Sequence, residues 1–164
     1  MRVYIPATSR ELRALHESGG LAAGRTAYAV TPGLAEWYID DDLEELEYAA
    51  FLEAARASLR LIDADPDALR RRVVIAIDAA EVIVVVCDDL DRGVVKLAGP
   101  VTLAQVASVH VDDADAASAV TAAAEVIIDA DLGDDRAQER VDDADGFELS
   151  WFATQEIGAL LDTL

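Results

Sequence analysis

Lysine is almost missing from this sequence: Lys96 stands alone beside 12 Arg, and these 13 basic residues face 33 acidic ones, 21 of them Asp. The formal net charge is −20 at pH 7. Nucleic-acid binders gain affinity by neutralising phosphates with Lys and Arg, so this balance excludes backbone-driven recognition of DNA or RNA. Anionic membrane surfaces are disfavoured for the same reason. Cysteine is equally scarce. The single Cys87 allows neither an intramolecular disulfide nor a CxxC pair, and a reducing cytoplasm suits it. No apolar h-region precedes Pro6, so no secretory signal is expected. The apolar run Val82 to Cys87 falls far short of the roughly 18 residues that a membrane span needs.

Catalytic and metal motifs are missing too. No Gly-rich phosphate loop of the GxxxxGK[ST] or GxGxxG type occurs, nor a GxSxG elbow. His16-Glu17 runs into Ser18-Gly19-Gly20, which breaks the HExxH pattern, and two His in all cannot build a His-rich metal site. In Asp88-Asp89-Leu90-Asp91-Arg92-Gly93, placing Gly93 at position six of a calcium loop puts Leu90 and Arg92 where oxygen ligands belong. No cofactor is predicted on these grounds, although a divalent cation could meet the carboxylates discussed below.

What is present is the pattern of one soluble domain over 1–164: 53% hydrophobic and 28% charged, with no repeat, linker or change of composition along the chain. A strand is expected at Arg2–Pro6. Thr8 with Glu11 three residues on makes a capping box, opening a helix that stops near Gly19-Gly20. A second strand around Tyr28–Thr31 leads to a short helix started by Pro32. The longest helix is predicted over 41–63, capped by Asp41 and ended by Asp65-Pro66. Strands follow at 72–77, 82–87, 94–97 and 107–111, the first two apolar on both faces, as in a covered central sheet. The C-terminal third reads as helical: one helix from Asp112 or Asp113 to Ile128, a solvated acidic one through Asp129–Asp145, and a last one over 147–164. The fold class is therefore α+β, or α/β, with about five to six short strands packed by helices.

Several side chains could carry chemistry. His110 shares a strand face with Ser108 and Asp112, an arrangement that fits a general base with its orienting carboxylate. Trp37, Tyr38 and Trp151, with Gln155, are candidates for a ligand pocket. On a helical wheel of 41–63, Glu45, Glu53, Arg56, Arg60 and Asp63 form the solvent face, while Glu44, Glu47 and Ser58 fall within the apolar arc. The wheel of 147–164 places Glu156 in its buried sector. A buried carboxylate must be paired, hydrogen-bonded, neutralised or bound to a cation. Two expectations follow: Glu44, Glu47 and Glu156 converge as cation ligands or as an acid/base set, or each meets an Arg (Arg10, Arg13, Arg25) or the hydroxyl of Tyr28 or Tyr48.

Blocks along the whole chain carry a resemblance: Arg2-Val3-Tyr4-Ile5-Pro6-Ala7-Thr8, Ala29-Val30-Thr31-Pro32, Leu43 to Ala50, His110-Val111-Asp112-Asp113 and Trp151 to Glu156. In these the sequence resembles a family of uncharacterised actinobacterial single-domain proteins of about this length. The resemblance implies a bacterial cytoplasmic protein and brings no activity, cofactor or catalytic residue with it. The functional expectation is a non-enzymatic acidic interaction or regulatory protein, with a basic protein as partner and neither nucleic acid nor membrane. The alternatives are a hydrolase or transferase using a cation-bound carboxylate cluster, with Glu47, Glu156 and His110 as catalytic candidates, and a small-ligand binding domain.

Overall fold

The computed structural model describes residues 1–39 and 42–164. β1 (Arg2–Ala7) enters α1 (Ser9–Ser18) through the expected capping box: the Glu11 N–H donates to Thr8 Oγ1 at 3.3 Å, and the Thr8 N–H donates to the Glu11 carboxylate at 3.2 Å. Two donors that have no partner within the helix are thereby satisfied. Gly19 ends α1 at φ +79, a conformation that costs a side-chain-bearing residue energy and glycine almost nothing. Then come β2 (Gly20–Leu21), β3 (Thr26–Ala29) and α2 (Pro32–Trp37), which Thr31 caps.

The long helix α3 spans Leu43–Ala64 and is capped by Asp42, whose carboxylate accepts the Glu44 N–H; the expected cap, Asp41, lies outside the described residues. The strands β4 (Val73–Asp78), β5 (Val84–Val86), β6 (Val94–Leu97), β7 (Val101–Thr102) and β8 (Val106–Val111) follow. After them come α4 (Ala117–Asp131), α5 (Asp135–Asp145), β9 (Ser150–Phe152) and α6 (Ile157–Thr163).

Seven strands form one sheet in the order β5-β6-β3-β1-β4-β8-β9, every neighbouring pair antiparallel, and β2 pairs with β7 separately. The class is α+β; an α/β fold would need parallel strands joined by crossovers. Alternation along each strand gives the sheet two covered faces. Val3, Ile5, Val73, Ile75 and Val109 point to the side covered by α1 and α6, where Leu12, Leu15, Ile157 and Leu161 complete the main core. Tyr4, Tyr28, Val74, Ala76 and Val94 point the other way, against Ala50, Ala54 and Ala57 of α3. Small residues on α3 let it lie close over β1, β3 and β4.

Three expectations are corrected. Residues 82–87 do not make a strand covered on both faces: residues 81–83 form a short turn, and β5 is an edge strand with Val82 87% exposed and Val85 and Val86 open to solvent. A valine run satisfies the interior and the rim of a sheet equally well, so periodicity could not separate the two. Arg56 and Arg60 do not simply face water. Both pair with Asp131 of α4, docking the α4–α5 hairpin on the end of α3 around Leu59, Ile62, Val120, Ile127 and Val141. The predicted helix over 147–164 is instead strand β9, a single turn at 154–156 and the seven-residue α6. The open edge of β8 captures 150–152, pairing His110 with Trp151, and this long-range pairing overrides the i, i+4 spacing of Leu149, Ala153 and Ile157.

Two buried polar knots fasten the layers. Ser58, fully buried on α3, donates to the Ala7 carbonyl at 2.7 Å and accepts the Val73 N–H at 3.0 Å, tying the helix to the ends of β1 and β4. Arg72 and Asp112, with side chains 2% and 0% exposed, form a two-pronged ion pair of 2.8 and 2.9 Å. Arg72 also donates to the carbonyls of Ala144 and Phe147, both at 2.9 Å, which anchors the segment between α5 and β9. Among the described residues no helix is long and apolar enough to cross a membrane.

Candidate functional site

The sheet extends beyond α3. The helix covers β1, β3 and β4, while β8 and β9 continue past its flank on the same side. The short side chains of Ala55, Ala76 and Ser108 leave a cavity of about 470 Å³ in the angle between them. Its floor is Tyr4, Ala76, Ser108 and His110 on the strands, and one wall is the α3 face bearing Glu44, Glu47, Tyr48 and Phe51. Trp151 and the 147–149 segment held by Arg72 close the far side.

Phe51 organises the interior. Its ring meets Tyr4 edge-on with centroids 5.9 Å apart, meets His110 edge-on at 4.9 Å, and stacks with Tyr48 at 6.1 Å and 14°. Such offset and edge-to-face contacts fix ring orientations beyond simple burial. Tyr48 and Trp151 nevertheless stay 57% and 60% exposed, presenting aromatic surface to whatever enters.

The polar groups converge on the floor. The Tyr4 hydroxyl donates to Glu47 Oε2 at 3.1 Å. Burial first, and the Glu47 carboxylate second, hold the Tyr4 hydroxyl far above the ordinary phenol range, so it is a permanent donor and not a base. His110 Nε2 lies 3.0 Å from Ser108 Oγ. Burial, and then the Arg2 charge, push the imidazole below its usual value, so it is mostly neutral at pH 7 and can offer one nitrogen as a hydrogen-bond donor and the other as an acceptor. Both arginines at the cavity already have partners: Arg2 with Asp78 at 2.9 Å, and Arg72 with Asp112.

The candidate residues therefore separate into groups. Glu47, Glu44, His110 and Trp151 share this cavity. Ser108 joins His110 as its alternation on the strand predicts, but Asp112 turns to Arg72 and does not orient the imidazole. Glu156 is not in a buried sector. It is exposed in the turn at 154–156, accepts the Ala153 N–H, and lines a separate hollow of about 310 Å³ on the α6 side of the sheet. The expected convergence of Glu44, Glu47 and Glu156 fails because the helical register assigned to 147–164 does not exist. Among the described residues no group of three or more His, Cys, Asp or Glu is placed to hold a metal ion.

Trp37 and Tyr38 are exposed at the end of α2, away from Trp151, with the Arg92 guanidinium 3.7 Å over the Trp37 ring. Gln155 is exposed and lines neither cavity. Arg10 pairs with Asp65 and Arg25 with Glu11, so neither meets Glu47. Tyr4, Phe51 and Arg72 were not singled out from the sequence. Tyr4 breaks the aliphatic alternation of β1, and Arg72 ends a run of three arginines at a strand start; those are the only signals, and neither shows that β1, β4 and β8 are neighbours.

The profile of a family of unknown function, DUF6912, matches residues 1–161. The chain belongs to the DUF6912 family. No curated protein and no solved structure shows a significant match. For this DUF6912 protein the cavity geometry is thus the main guide to function.

Proposed function

We propose that this DUF6912 protein is a small-ligand binding domain whose ligand occupies the cavity between α3, β8 and β9. One observation carries the reading: an aromatic-walled space of about 470 Å³ has Tyr4, Ser108 and His110 on its floor and Glu47 beside them on its α3 wall. Binding sites for small molecules are mostly apolar concavities of this size with few, fixed polar groups. Tyr4, Glu47 and Phe51 are held by one another before any ligand arrives, which lowers the ordering cost of binding. In this reading the protein works in the cytoplasm, where Cys87 stays reduced.

The test uses the protein's two tryptophans as built-in reporters. With 5-fluorotryptophan incorporated, a fragment library should move the Trp151 fluorine resonance and leave that of Trp37 unmoved. Fragments that move only Trp37, or a library that moves neither, would overturn the assignment.

A second reading, an interaction module for a basic protein, is supported by the charge of −20 and by the exposed Val85 and Val86 on the unpaired edge of β5. Apolar edge strands are templates for strand addition, and the field of the protein would favour a cationic peptide there. Adding charge at the edge with Val85→Lys should weaken such an association while leaving fragment binding at Trp151 intact.

A further inference from the structure

We propose that the ligand of this cavity is a small organic cation, an alkylammonium or guanidinium group on an apolar body. This rests on the cavity being a ligand site and adds the chemical class.

Of the two arginines at the cavity, Arg72 is satisfied inside the protein by Asp112 and two backbone carbonyls, and Arg2 is engaged by Asp78 in a more exposed pair. His110 contributes no appreciable charge at neutral pH. By contrast, Glu44, Glu47 and Glu148 line the space with no cationic partner among the described residues. Glu47 is the best placed of them, because it is half-buried and its carboxylate is held in position by the Tyr4 hydroxyl. Only one of its oxygens is used in that bond, which leaves the other to receive an N–H donor.

The aromatic surfaces supply the second half of the recognition. Tyr48 and Trp151 offer exposed ring faces at the mouth, and a cation within about 6 Å of a ring centre is attracted by its quadrupole. Carboxylate and aromatic faces together describe a site for an ammonium that carries some apolar bulk. An inorganic divalent cation suits the cavity less well: calcium wants about six to eight oxygen ligands, and no group of three acidic or imidazole side chains is assembled among the described residues. An anionic ligand would meet three Glu carboxylates, offset only by the Arg2 guanidinium that Asp78 already engages and by Arg72, which is taken by Asp112. The field of a chain at −20 also raises the local concentration of any cation near its surface.

The experiment compares three probes of similar shape on the full chain at low salt, read by the Trp151 fluorine signal: benzylammonium, neutral benzyl methyl ether and anionic phenylacetate. The cation should bind at least roughly tenfold tighter than either analogue, and Glu47→Gln should weaken it roughly tenfold, as expected for loss of a charge-assisted contact. Glu156→Gln, on the other side of the sheet, removes the same formal charge and should leave binding unchanged. Matched thermal melts would confirm that both variants are folded. Equal or stronger binding of the ether or phenylacetate overturns the charge assignment but keeps the cavity as a ligand site. Binding of none of the three, alongside fragments that also fail to move Trp151, overturns both. Equal losses in the Glu47 and Glu156 variants would reduce the effect to net charge and contradict the proposal.

Discussion

Cutting the buried Arg72–Asp112 pair on either side should destabilise the protein strongly, and removing both partners should cost less than the two single cuts summed. In Arg72→Met the Asp112 carboxylate keeps only the Arg72 backbone N–H of its three bonds to that residue, and the carbonyls of Ala144 and Phe147 lose their donor. In Asp112→Leu the guanidinium stays buried with those two carbonyls and the half-exposed Asp145 at 3.3 Å. Removing one member of a buried pair costs about 3–5 kcal/mol. For a chain of 164 residues, at roughly 2–4 °C per kcal/mol, that is a drop of about 6–20 °C in Tm. The double variant exchanges both charges for apolar volume, which by itself is often neutral or favourable, but leaves two carbonyls open at about 1–3 kcal/mol each. It should therefore lose less than the two single variants summed, and the shortfall is the coupling energy of the pair. Denaturant melts of the four proteins at constant m measure this directly. A loss under about 1 kcal/mol in either single variant, or strict additivity in the double, would refute the reasoning.

Ser58→Ala leaves the Val73 N–H and the Ala7 carbonyl without their shared hydroxyl and should cost about 1–3 kcal/mol by the same melts; a change within error would show that water or a backbone shift replaces it. The Asp88 carboxyl is disfavoured as an ion by burial, but hydrogen bonds from Thr31 and from the backbone N–H groups of Gly33 and Gly93 outweigh this and hold it below the usual carboxylate range. A depressed folded-state value stabilises the protein above the unfolded Asp value of about 3.9 and is lost as pH falls through the folded one. Asp88→Asn should therefore be less stable at neutral pH and show a shallower acid limb, and parallel curves would contradict this. In Gly33→Ala the added methyl would lie 2.6 Å from the Asp88 carboxyl carbon, so the carboxylate must shift from its hydrogen bonds to Thr31, Gly33 and Gly93, and a thermal melt should show a loss. For His110 the sign is the same but the pH window is higher: the folded protein binds the proton less readily than the unfolded chain, so stability falls as pH drops below the unfolded His value of about 6.5. Its imidazole resonances should titrate with a midpoint under that value, and a midpoint above it would remove the buried, Arg2-facing placement.

Much of the local structure was legible in the sequence because short-range chemistry decides it. The Thr8–Glu11 capping box, the Thr31–Pro32 helix start, the stop at Asp65-Pro66 and the strand at Val94–Leu97 all depend on neighbours within a few residues. Glu47 and Ser58 also stood out as polar breaks in an apolar arc, and both prove to be hydrogen-bonded at least partly inside the protein. Long-range pairing was not legible. Residues 150–152 carry the spacing of a helix and become a strand only because β8 offers a free edge, and that one misreading carried Glu156 into a pocket it never enters. The cavity itself comes from strand order, with β1, β4 and β8 side by side and α3 stopping short of the last two strands, β8 and β9. No spacing within the chain encodes that neighbourhood.

The most direct measurement is a crystal structure grown with benzylammonium. The account predicts density for the ammonium nitrogen at hydrogen-bond distance from the Glu47 carboxylate and within about 6 Å of the Trp151 or Tyr48 ring centre, with Tyr4 still donating to Glu47. A ligand lodged elsewhere on the acidic surface, or a Glu47 side chain swung away from Tyr4 into solvent with the cavity filled by its neighbours, would contradict it.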